Sequence, residues 1–544
     1  MSLRDFFLVE DDLNCCCPQC ISCHIRPRNR TRARSNSCTG IRVTSMGAAQ
    51  STSAQSVSVA SSSLSEKVPA QEYSVQPSLK AATPLSPNGS ISLKNVAQWE
   101  EAAVDDLKVQ LARTVLVDTD YKSALATRSA RIADPHVFNV QLDFKTGPVT
   151  NQKSSGRCWL FATTNVLRHS IMQKLSLKEF QLSQSYLFFW DKLNKCNYYL
   201  ELSIETADLA LDDRIVNFLS NDLISDGGQW DMAVNLLETY GVVPQPIYPE
   251  SYSSSASSNL NKLLKLKLRE HALILRRLSA SLKGVTDKEQ ALSSIRAKKE
   301  ELMSEIWTIM TATLGVPPRP DDAFTWEYLD GDGKFRSWTG TPLEFYKAFT
   351  SRQYPPTDSF SIINDPRNEY KKLYTVDKLG NIWGGREVLY VNTHIDDLKN
   401  TIVKMLKAGQ PAFFGCDVNQ FSDSRGGILD TGLHKAAIEN AFNITLGLTK
   451  AERLEMNESS MTHAMVITAA HVDASGRPVR FRVENSWGPD SGEKGYLVMT
   501  DKWFDEFVYQ VVVPKSLAPK ELVKVFESRE KIVLPPWDPM GSLA

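Results

Sequence analysis

The order in which helix-like and strand-like segments follow one another constrains the fold of this chain most strongly. Up to about residue 312 the apolar residues recur mainly at helical spacing, whereas the last third of the chain is rich in β-branched and aromatic residues. Its strand-like segments are 412–418, 463–472, 479–486 and 495–500. Helices first and strands later are typical of an α+β fold rather than of repeating βαβ units. We therefore predict an α+β protein.

A change in composition divides the chain near residue 95. Residues 47–65 are mostly Ser, Ala and Gln, and prolines interrupt the sequence that follows. We predict that residues 1–95 are a disordered N-terminal arm and that 96–544 form the folded part. Alternating arginines from Arg26 to Arg34 make the arm a candidate targeting segment, although the acidic residues near its start are unusual in one. We expect a cytoplasmic protein, with the mitochondrion as a second location.

Cysteine usage indicates a reducing compartment. Six of the nine cysteines lie before residue 40, and the others, Cys158, Cys196 and Cys416, are too scattered for a disulfide framework. In the arm, Cys20, Cys23 and His24 match the haem-attachment pattern C-x-x-C-H, and with Cys17 they could chelate zinc. Because no second ligand pair follows, we expect no cofactor.

The charge balance excludes a polyelectrolyte partner for the molecule as a whole. The chain has 62 basic and 63 acidic residues, and no apolar run approaches the roughly 18 residues of a membrane span. A charged, helical stretch from about 258 to 312 has an inward stripe of Leu260, Leu263, Leu264, Leu268 and Leu275. Its basic residues at 262–269, together with the Arg-rich arm, leave DNA or RNA binding as an alternative function.

A candidate nucleophile lies where a polar loop meets a helix. Apolar residues at helical spacing predict a helix over 158–175, with Cys158 at its first position and Gly156 in the loop before it. The unpaired N–H groups at a helix start favour the thiolate form of a cysteine, and the neighbouring Arg157 adds positive charge. A buried structural cysteine is the alternative interpretation of Cys158.

A thiolate needs an imidazole partner, and the positions of the histidines favour His463. His169 is about 16 Å from Cys158 along the same helix, and His24 lies in the arm. His463 opens a predicted strand, whereas His471 lies about 27 Å further along that strand. Antiparallel pairing of 463–472 with 479–486 would bring Asn485 near His463, where its amide could orient the imidazole.

Two further observations complete the predicted site. Gln152, six residues before Cys158, could bind the oxyanion of a tetrahedral intermediate together with the Cys158 backbone N–H, and Trp487 could shield the His463–Asn485 hydrogen bond from water.

The sequence has no H-E-x-x-H motif and no G-x-S-x-G motif, which disfavours a metallopeptidase and a serine hydrolase.

These positions together resemble the papain superfamily of cysteine peptidases. The matching elements are Gln152 with GRCW (156–159), DGGQWD (226–231), His463 before an apolar strand, and ENSWG (484–488). The segments NQKSSGRCW, LSQSYLFFWDK, FTWEY, TPLEFY, RVENSWG and the tail LPPWDPMGSLA narrow the resemblance to the bleomycin hydrolase family. It extends from about residue 96 to the last residue and does not include the arm.

The resemblance implies a papain-like two-lobed fold, with a helical lobe, an antiparallel sheet lobe and a large helical insertion at about 255–410. His463 lies 305 positions after Cys158, which fits such an insertion, because this separation is roughly 130–150 in ordinary papain-like chains. The family further implies a homohexamer and a C-terminal tail, about 530–544, that reaches the active site. There the carboxylate of Ala544 would meet the free N-terminus of a peptide substrate, which makes the expected enzyme an aminopeptidase of broad specificity, extending to homocysteine thiolactone and bleomycin.

Overall fold

The structure, a computed structural model, describes residues 89–221, 223–284 and 287–543. Most of the arm and Ala544 therefore lie outside the described residues. The helices are α1 (Leu93–Asp105), α2 (Leu107–Leu116), α3 (Tyr121–Ala124), α4 (Arg128–Ala133), α5 (Cys158–Leu175), α6 (Gln184–Glu205), α7 (Arg214–Asn221), α8 (Trp230–Tyr240), α9 (Tyr252–Ser255), α10 (Ser258–Ser281), α11 (Lys288–Leu314), α12 (Pro342–Phe349), α13 (Ile395–Lys407), α14 (Lys435–Phe442), α15 (Lys450–Glu455), α16 (Asp501–Phe507) and α17 (Lys520–Ser528).

One large mixed sheet gathers most of the strands. The strands are β1 (Val140–Gln141), β2 (Phe324–Leu329), β3 (Phe335–Gly340), β4 (Ser359–Ile363), β5 (Lys372–Val376), β6 (Tyr390–Asn392), β7 (Ala412–Cys416), β8 (Ser422–Asp423), β9 (Ile428–Leu429), β10 (His463–Val472), β11 (Pro478–Glu484), β12 (Tyr496–Thr500), β13 (Val508–Pro514) and β14 (Lys531–Leu534). The order across the sheet is β14-β5-β6-β4-β13-β7-β10-β11-β12-β9-β8, with β1 on β10, while β2 and β3 form a separate hairpin.

Strand β10 separates two hydrophobic cores. Successive side chains of a strand point to opposite faces, and along β10 Ala464 and Val466 belong to one core while Met465 and Ile467 belong to the other. The first core contains residues of α5, α6 and α8, and the second contains residues of α13, α16 and α17. Because both faces of β10 are covered, its sequence is a nearly continuous run of apolar residues. The predicted α+β fold class is confirmed.

Three details differ from the sequence predictions. Leu263 is 43% exposed and lies off the inward side of α10, whose buried residues are Leu260, Leu264, Leu268, His271, Ala272 and Leu275. Apolar residues at 99–115 recur at helical spacing, which predicts a helix there. The segment forms two helices, since the Asp106 side chain accepts the backbone N–H groups of Lys108 and Val109 and so caps α2. The predicted helical insertion at about 255–410 is continuously helical in character only to Leu314. It continues as the β2–β3 hairpin, α12, the strands β4, β5 and β6, which join the large sheet, and α13.

The basic residues of α10 are largely engaged within the chain. Lys267 pairs with Glu270 and Glu305, and the Arg269 guanidinium donates to the carbonyl of Ser220. The Arg-rich arm lies outside the described residues. Nothing in the described part of the chain therefore favours the nucleic-acid alternative.

The described residues contain neither a helix able to span a membrane nor a group of side chains able to hold a metal ion. None of their helices has the length and apolar character that crossing a bilayer requires. Among the same residues, no three His, Cys, Asp or Glu side chains are grouped so that they could hold a metal ion.

Candidate active site

Cys158 is the first residue of α5, as its sequence context predicts. The carbonyl of Arg157 accepts the N–H groups of Leu160 and Phe161, so that the helix begins immediately after the polar loop. Cys158 is only 2% exposed, and the backbone N–H of Ala464, the residue after His463, is close enough to the thiol to lower its pKa. The structure therefore brings Cys158 next to the strand that begins with His463.

His463 and Asn485 form the predicted pair. His463 Nε2 lies 2.9 Å from Asn485 Oδ1, and the backbone N–H of Ser486 donates to the same oxygen at 2.8 Å. Because that N–H can only donate, the atom that it meets is the amide oxygen, and Nε2 must therefore carry the proton that it shares with Asn485. In the neutral ring, Nδ1 is then the unprotonated nitrogen. The Trp487 ring lies over the imidazole with centroids 4.9 Å apart, as the shielding prediction requires.

Gln152 is held at both ends of its side-chain amide. Its Nε2 donates to the carbonyl of Ser155 at 2.7 Å, and its Oε1 accepts from the hydroxyl of Ser486 at 2.7 Å. Its backbone N–H also donates to the Ser486 carbonyl. These bonds connect the loop before Cys158 to the residue that follows Asn485, so all four predicted positions meet at one place.

Burial governs the protonation of the candidate nucleophile and base. Burial raises the pKa of the Cys158 thiol to about 11, although the N–H groups of Ala464, Trp159 and Cys158 itself lower it. Burial likewise lowers the pKa of the His463 imidazole to about 4, against the opposing effect of the Asn485 hydrogen bond. Burial therefore opposes the charged form of each group, whereas a helix start by itself favours the thiolate.

The expected contribution of Arg157 to the thiolate is also corrected. Its side chain is fully buried, pairs with Glu250 at 2.9 Å and lies against the rings of Phe161 and Phe188. The guanidinium charge is thus compensated by Glu250, and it stabilises the loop instead of activating the Cys158 thiol. From the sequence, no feature of Glu250 identifies it as this partner.

The segment 226–229 connects Trp159, the neighbour of Cys158, to the C-terminal tail. The indole N–H of Trp159 donates to the carbonyl of Asp226 at 2.7 Å, and a Cβ on Gly228 would lie 2.5 Å from the Trp159 ring, which only glycine avoids. Gln229 Nε2 donates to the carbonyl of Ser542 in the tail at 2.6 Å. The last residues of the tail that the structure describes thus lie against the segment that packs on the neighbour of Cys158.

Further contacts fix the tail, and a cavity lies beside it. Met540 is buried in the core that also contains Cys158, and Asp538 pairs with Arg367 at 2.9 Å. The cavity, of about 570 Å³, is lined by residues 541–543 of the tail and by Ser225. Ala544, the predicted anchor for the substrate N-terminus, lies outside the described residues.

Comparison with known proteins agrees with this arrangement. A model of the Peptidase C1-like family matches residues 90–541. Cysteine proteinase 1, mitochondrial, of Saccharomyces cerevisiae is 42% identical over 463 residues, which are 84% of this chain and 94% of that protein. Bleomycin hydrolase of Homo sapiens is 42% identical over 465 residues, covering 84% of this chain and 99% of its own length. The crystal structure of PepW from Lactobacillus rhamnosis is 43% identical, with a TM-score of 0.79 over 84% of this chain and 100% of that one.

The family match spans most of the chain, and both curated relatives are covered almost completely. The resemblance that the sequence motifs indicated is therefore confirmed. The chain belongs to the Peptidase C1-like family and is a cysteine peptidase of the bleomycin hydrolase type.

Proposed function

We propose that this peptidase is an aminopeptidase of broad specificity that uses Cys158 as nucleophile, His463 as acid and base, Asn485 as the residue that orients the imidazole, and Gln152 in the oxyanion hole. One observation carries the proposal. The backbone N–H that meets the Cys158 sulfur belongs to the residue directly after His463, whose imidazole is fixed by Asn485. A nucleophile, a base and an orienting group in this order are the arrangement that acyl transfer requires.

The assigned protonation states define the first half of the reaction. As the Cys158 sulfur attacks the carbonyl carbon of the substrate, its proton passes to Nδ1 of His463, the nitrogen that the Asn485 hydrogen bond leaves unprotonated. The electron pair of the carbonyl moves onto the oxygen, where the Cys158 backbone N–H and the Gln152 amide stabilise the negative charge. When the intermediate collapses, the C–N bond breaks and His463 gives its proton to the departing amine.

Hydrolysis of the thioester repeats these steps with water. His463 takes a proton from the water molecule while its oxygen attacks the acyl carbon, and the same oxyanion hole stabilises the second intermediate. Collapse breaks the C–S bond, releases the carboxylic acid, and returns the proton to the Cys158 sulfur. Burial of both groups supports this route, because a neutral pair needs no stored charge before the substrate arrives.

The docked tail supports the restriction to free N-termini. Gln229 binds the carbonyl of Ser542, two residues before Ala544, so we propose that the Ala544 carboxylate binds the substrate ammonium. A carboxylate in a sheltered cleft binds one ammonium well and leaves no room for a longer N-terminal extension. We propose peptides with a free N-terminus as the main substrates, and homocysteine thiolactone and bleomycin as further ones.

A comparison of two substrates tests the proposed aminopeptidase activity. An aminoacyl fluorogenic amide is expected to have a kcat/KM about 10²-fold above that of its N-acetylated counterpart, because charge-assisted binding contributes about 1.5–3 kcal/mol and the acetyl group meets the tail. Alkylation of one thiol by iodoacetamide, located at Cys158 by peptide mapping, should abolish both activities in parallel. Equal kcat/KM values for the two substrates would contradict the exopeptidase assignment.

We also propose a homohexamer, on the basis of the family resemblance. The apolar side chains that α1 and α2 leave exposed, among them Leu93, Trp99, Leu107 and Leu111, support an assembly in which copies cover them. Sedimentation analysis of the full chain should give about six times the monomer mass, and a monomer at micromolar concentration would contradict the assembly.

The cytoplasm is proposed as the main compartment and the mitochondrion as a second one, because a relative is named mitochondrial. Fractionation of cells tests this proposal.

A further inference from the structure

A buried carboxylate outside the four predicted positions contacts the loop that leads to Cys158. Asp226 Oδ2 accepts the backbone N–H of Gly156 at 3.1 Å, and its Oδ1 lies 2.6 Å from the ammonium of Lys192. The hydroxyl of Ser257 and the amide of Asn261 donate to the same carboxylate. Asp226 is therefore the centre of a polar cluster in which one bond reaches the peptide just before the nucleophile.

The carboxylate of Asp226 stays ionised despite its burial. Burial by itself would raise its pKa, but the Lys192 ammonium and the hydrogen bonds from Lys192, Ser257 and Asn261 hold the pKa well below its usual range. Lys192 is fully buried on α6. A permanently charged acceptor forms a stronger hydrogen bond to an N–H group than a neutral one does. The Gly156 amide is therefore held firmly.

The geometry of one peptide bond carries this restraint to the oxyanion hole. The Gly156 N–H that Asp226 binds and the Ser155 carbonyl that accepts from Gln152 Nε2 belong to the same peptide unit. Because a peptide unit is planar, fixing its N–H also fixes the direction of its C=O. The Ser155 hydroxyl donates to the Gln152 carbonyl at 2.6 Å, which closes a compact loop around the Gln152 side chain.

We propose that Asp226 is a positioning residue for the oxyanion hole, acting through the Ser155–Gly156 peptide to hold the Gln152 amide where the developing oxyanion forms. The inference rests on the proposed roles of Cys158 and Gln152. Its mechanism is geometric: a misplaced donor costs transition-state stabilisation even when substrate and nucleophile are correctly bound. None of the hydrogen bonds of the Asp226 carboxylate in the described part of the chain reaches Cys158 or His463.

A second buried ion pair provides a matched control. Asp191 lies on α6 one residue before Lys192, is fully buried, pairs with Lys195 at 2.8 Å and accepts from Asn381 at 3.0 Å. No hydrogen bond of the Asp191 carboxylate reaches the loop 152–157 in the described part of the chain. Asp191→Asn and Asp226→Asn therefore remove the same charge from one polar cluster, and only Asp226→Asn changes the acceptor of the Gly156 N–H.

The test combines steady-state kinetics with alkylation of the thiol. Asp226→Asn is expected to lower kcat for an aminoacyl amide about tenfold to hundredfold with KM within about threefold, whereas Asp191→Asn keeps kcat within about threefold of wild type. Iodoacetamide should alkylate Cys158 in Asp226→Asn at least as fast as in wild type, because alkylation forms no oxyanion. Equal kcat values in the two variants, or a loss of alkylation parallel to the loss of kcat, would overturn the inference.

Gly156→Ala tests the same contact without removing a buried charge. A Cβ on Gly156 would lie 2.9 Å from the Asp226 Cβ, so the methyl group must push the loop away from the carboxylate. The same pattern is expected, a lower kcat with undiminished alkylation, and it remains measurable if Asp226→Asn does not fold. An unchanged kcat in folded Gly156→Ala would count against the proposed contact.

A double variant shows whether the effect passes through Gln152. If Asp226 acts by placing that amide, Gln152→Ala combined with Asp226→Asn should be little slower than Gln152→Ala alone, whereas independent roles would multiply the two losses and refute the inference.

The proposed function itself, on which this inference rests, is tested separately. A Cys158→Ala variant that retains activity would remove the proposed function, whereas an inactive Cys158→Ala beside a fully active Asp226→Asn would remove only this inference.

Discussion

Replacing Cys158 by alanine is expected to lower kcat for an aminoacyl fluorogenic amide by about 10⁴-fold or more while the fold is retained. Loss of the nucleophile removes the covalent route entirely, and the imidazole of His463 then has no partner to deprotonate. The remaining oxyanion donors can only assist direct attack by water. The measurement is kcat of the purified variant, with a thermal melt to show that it is folded.

The structure also predicts the cost of this substitution to stability. Cys158 is buried and belongs to the first core, so removing its sulfur leaves a cavity the size of one atom. The free energy of unfolding should fall by about 1 kcal/mol. Cys196→Ala is the matched control, because Cys196 is an equally buried free thiol on α6. It should show a similar loss of stability and an unchanged kcat. Turnover in Cys158→Ala above a few per cent of wild type would end the assignment.

Much of this site could be predicted because its determinants are local. The change from a polar loop to apolar residues at helical spacing defines where α5 begins, and it begins at Cys158. The antiparallel pairing of β10 with β11 joins Val466 to Glu484, which puts His463 and Asn485 at the same end of the hairpin. The alternation of side chains along each strand and the register of the β10–β11 pairing therefore account for the proximity of the His463 imidazole and the Asn485 amide.

What could not be predicted depends on packing between distant segments. The partners of Asp226 come from α6 and from the start of α10, and no pattern in the sequence relates Lys192 or Ser257 to the segment 226–231. Protonation is a consequence of the same packing. A helix start favours the thiolate, but burial of Cys158 opposes it more strongly, and burial is a property of the whole core rather than of the residues around the thiol.

The helical insertion was overestimated for a related reason. Strands β4, β5 and β6 are short and pair with one another, and β13 and β14, from the end of the chain, pair with β4 and β5. Short apolar runs of this kind fit a strand or a helix equally well until their partners are known. The long, periodic helices α10 and α11 carried the stronger signal and were correctly predicted.

Removing the C-terminal residues 539–544 is expected to let the enzyme accept blocked and extended N-termini, if the proposed role of the tail is correct. The truncation removes the Ser542 carbonyl that Gln229 binds, the buried Met540 and the proposed carboxylate of Ala544. The space that the tail occupies would then join the cavity of about 570 Å³ beside it. The ratio of kcat/KM between free-amine and N-acetylated substrates should fall about 10²-fold.

Gln229→Ala gives a graded version of this change, because it removes the hydrogen bond to Ser542 and leaves the tail attached. One lost hydrogen bond from a buried amide corresponds to about 1 kcal/mol, so the same ratio should fall by about fivefold. Iodoacetamide alkylation of Cys158 in both variants controls for damage to the site. If truncation lowers activity on both substrates equally, the tail contributes only to stability, and the selectivity for free N-termini must be encoded elsewhere in the cleft.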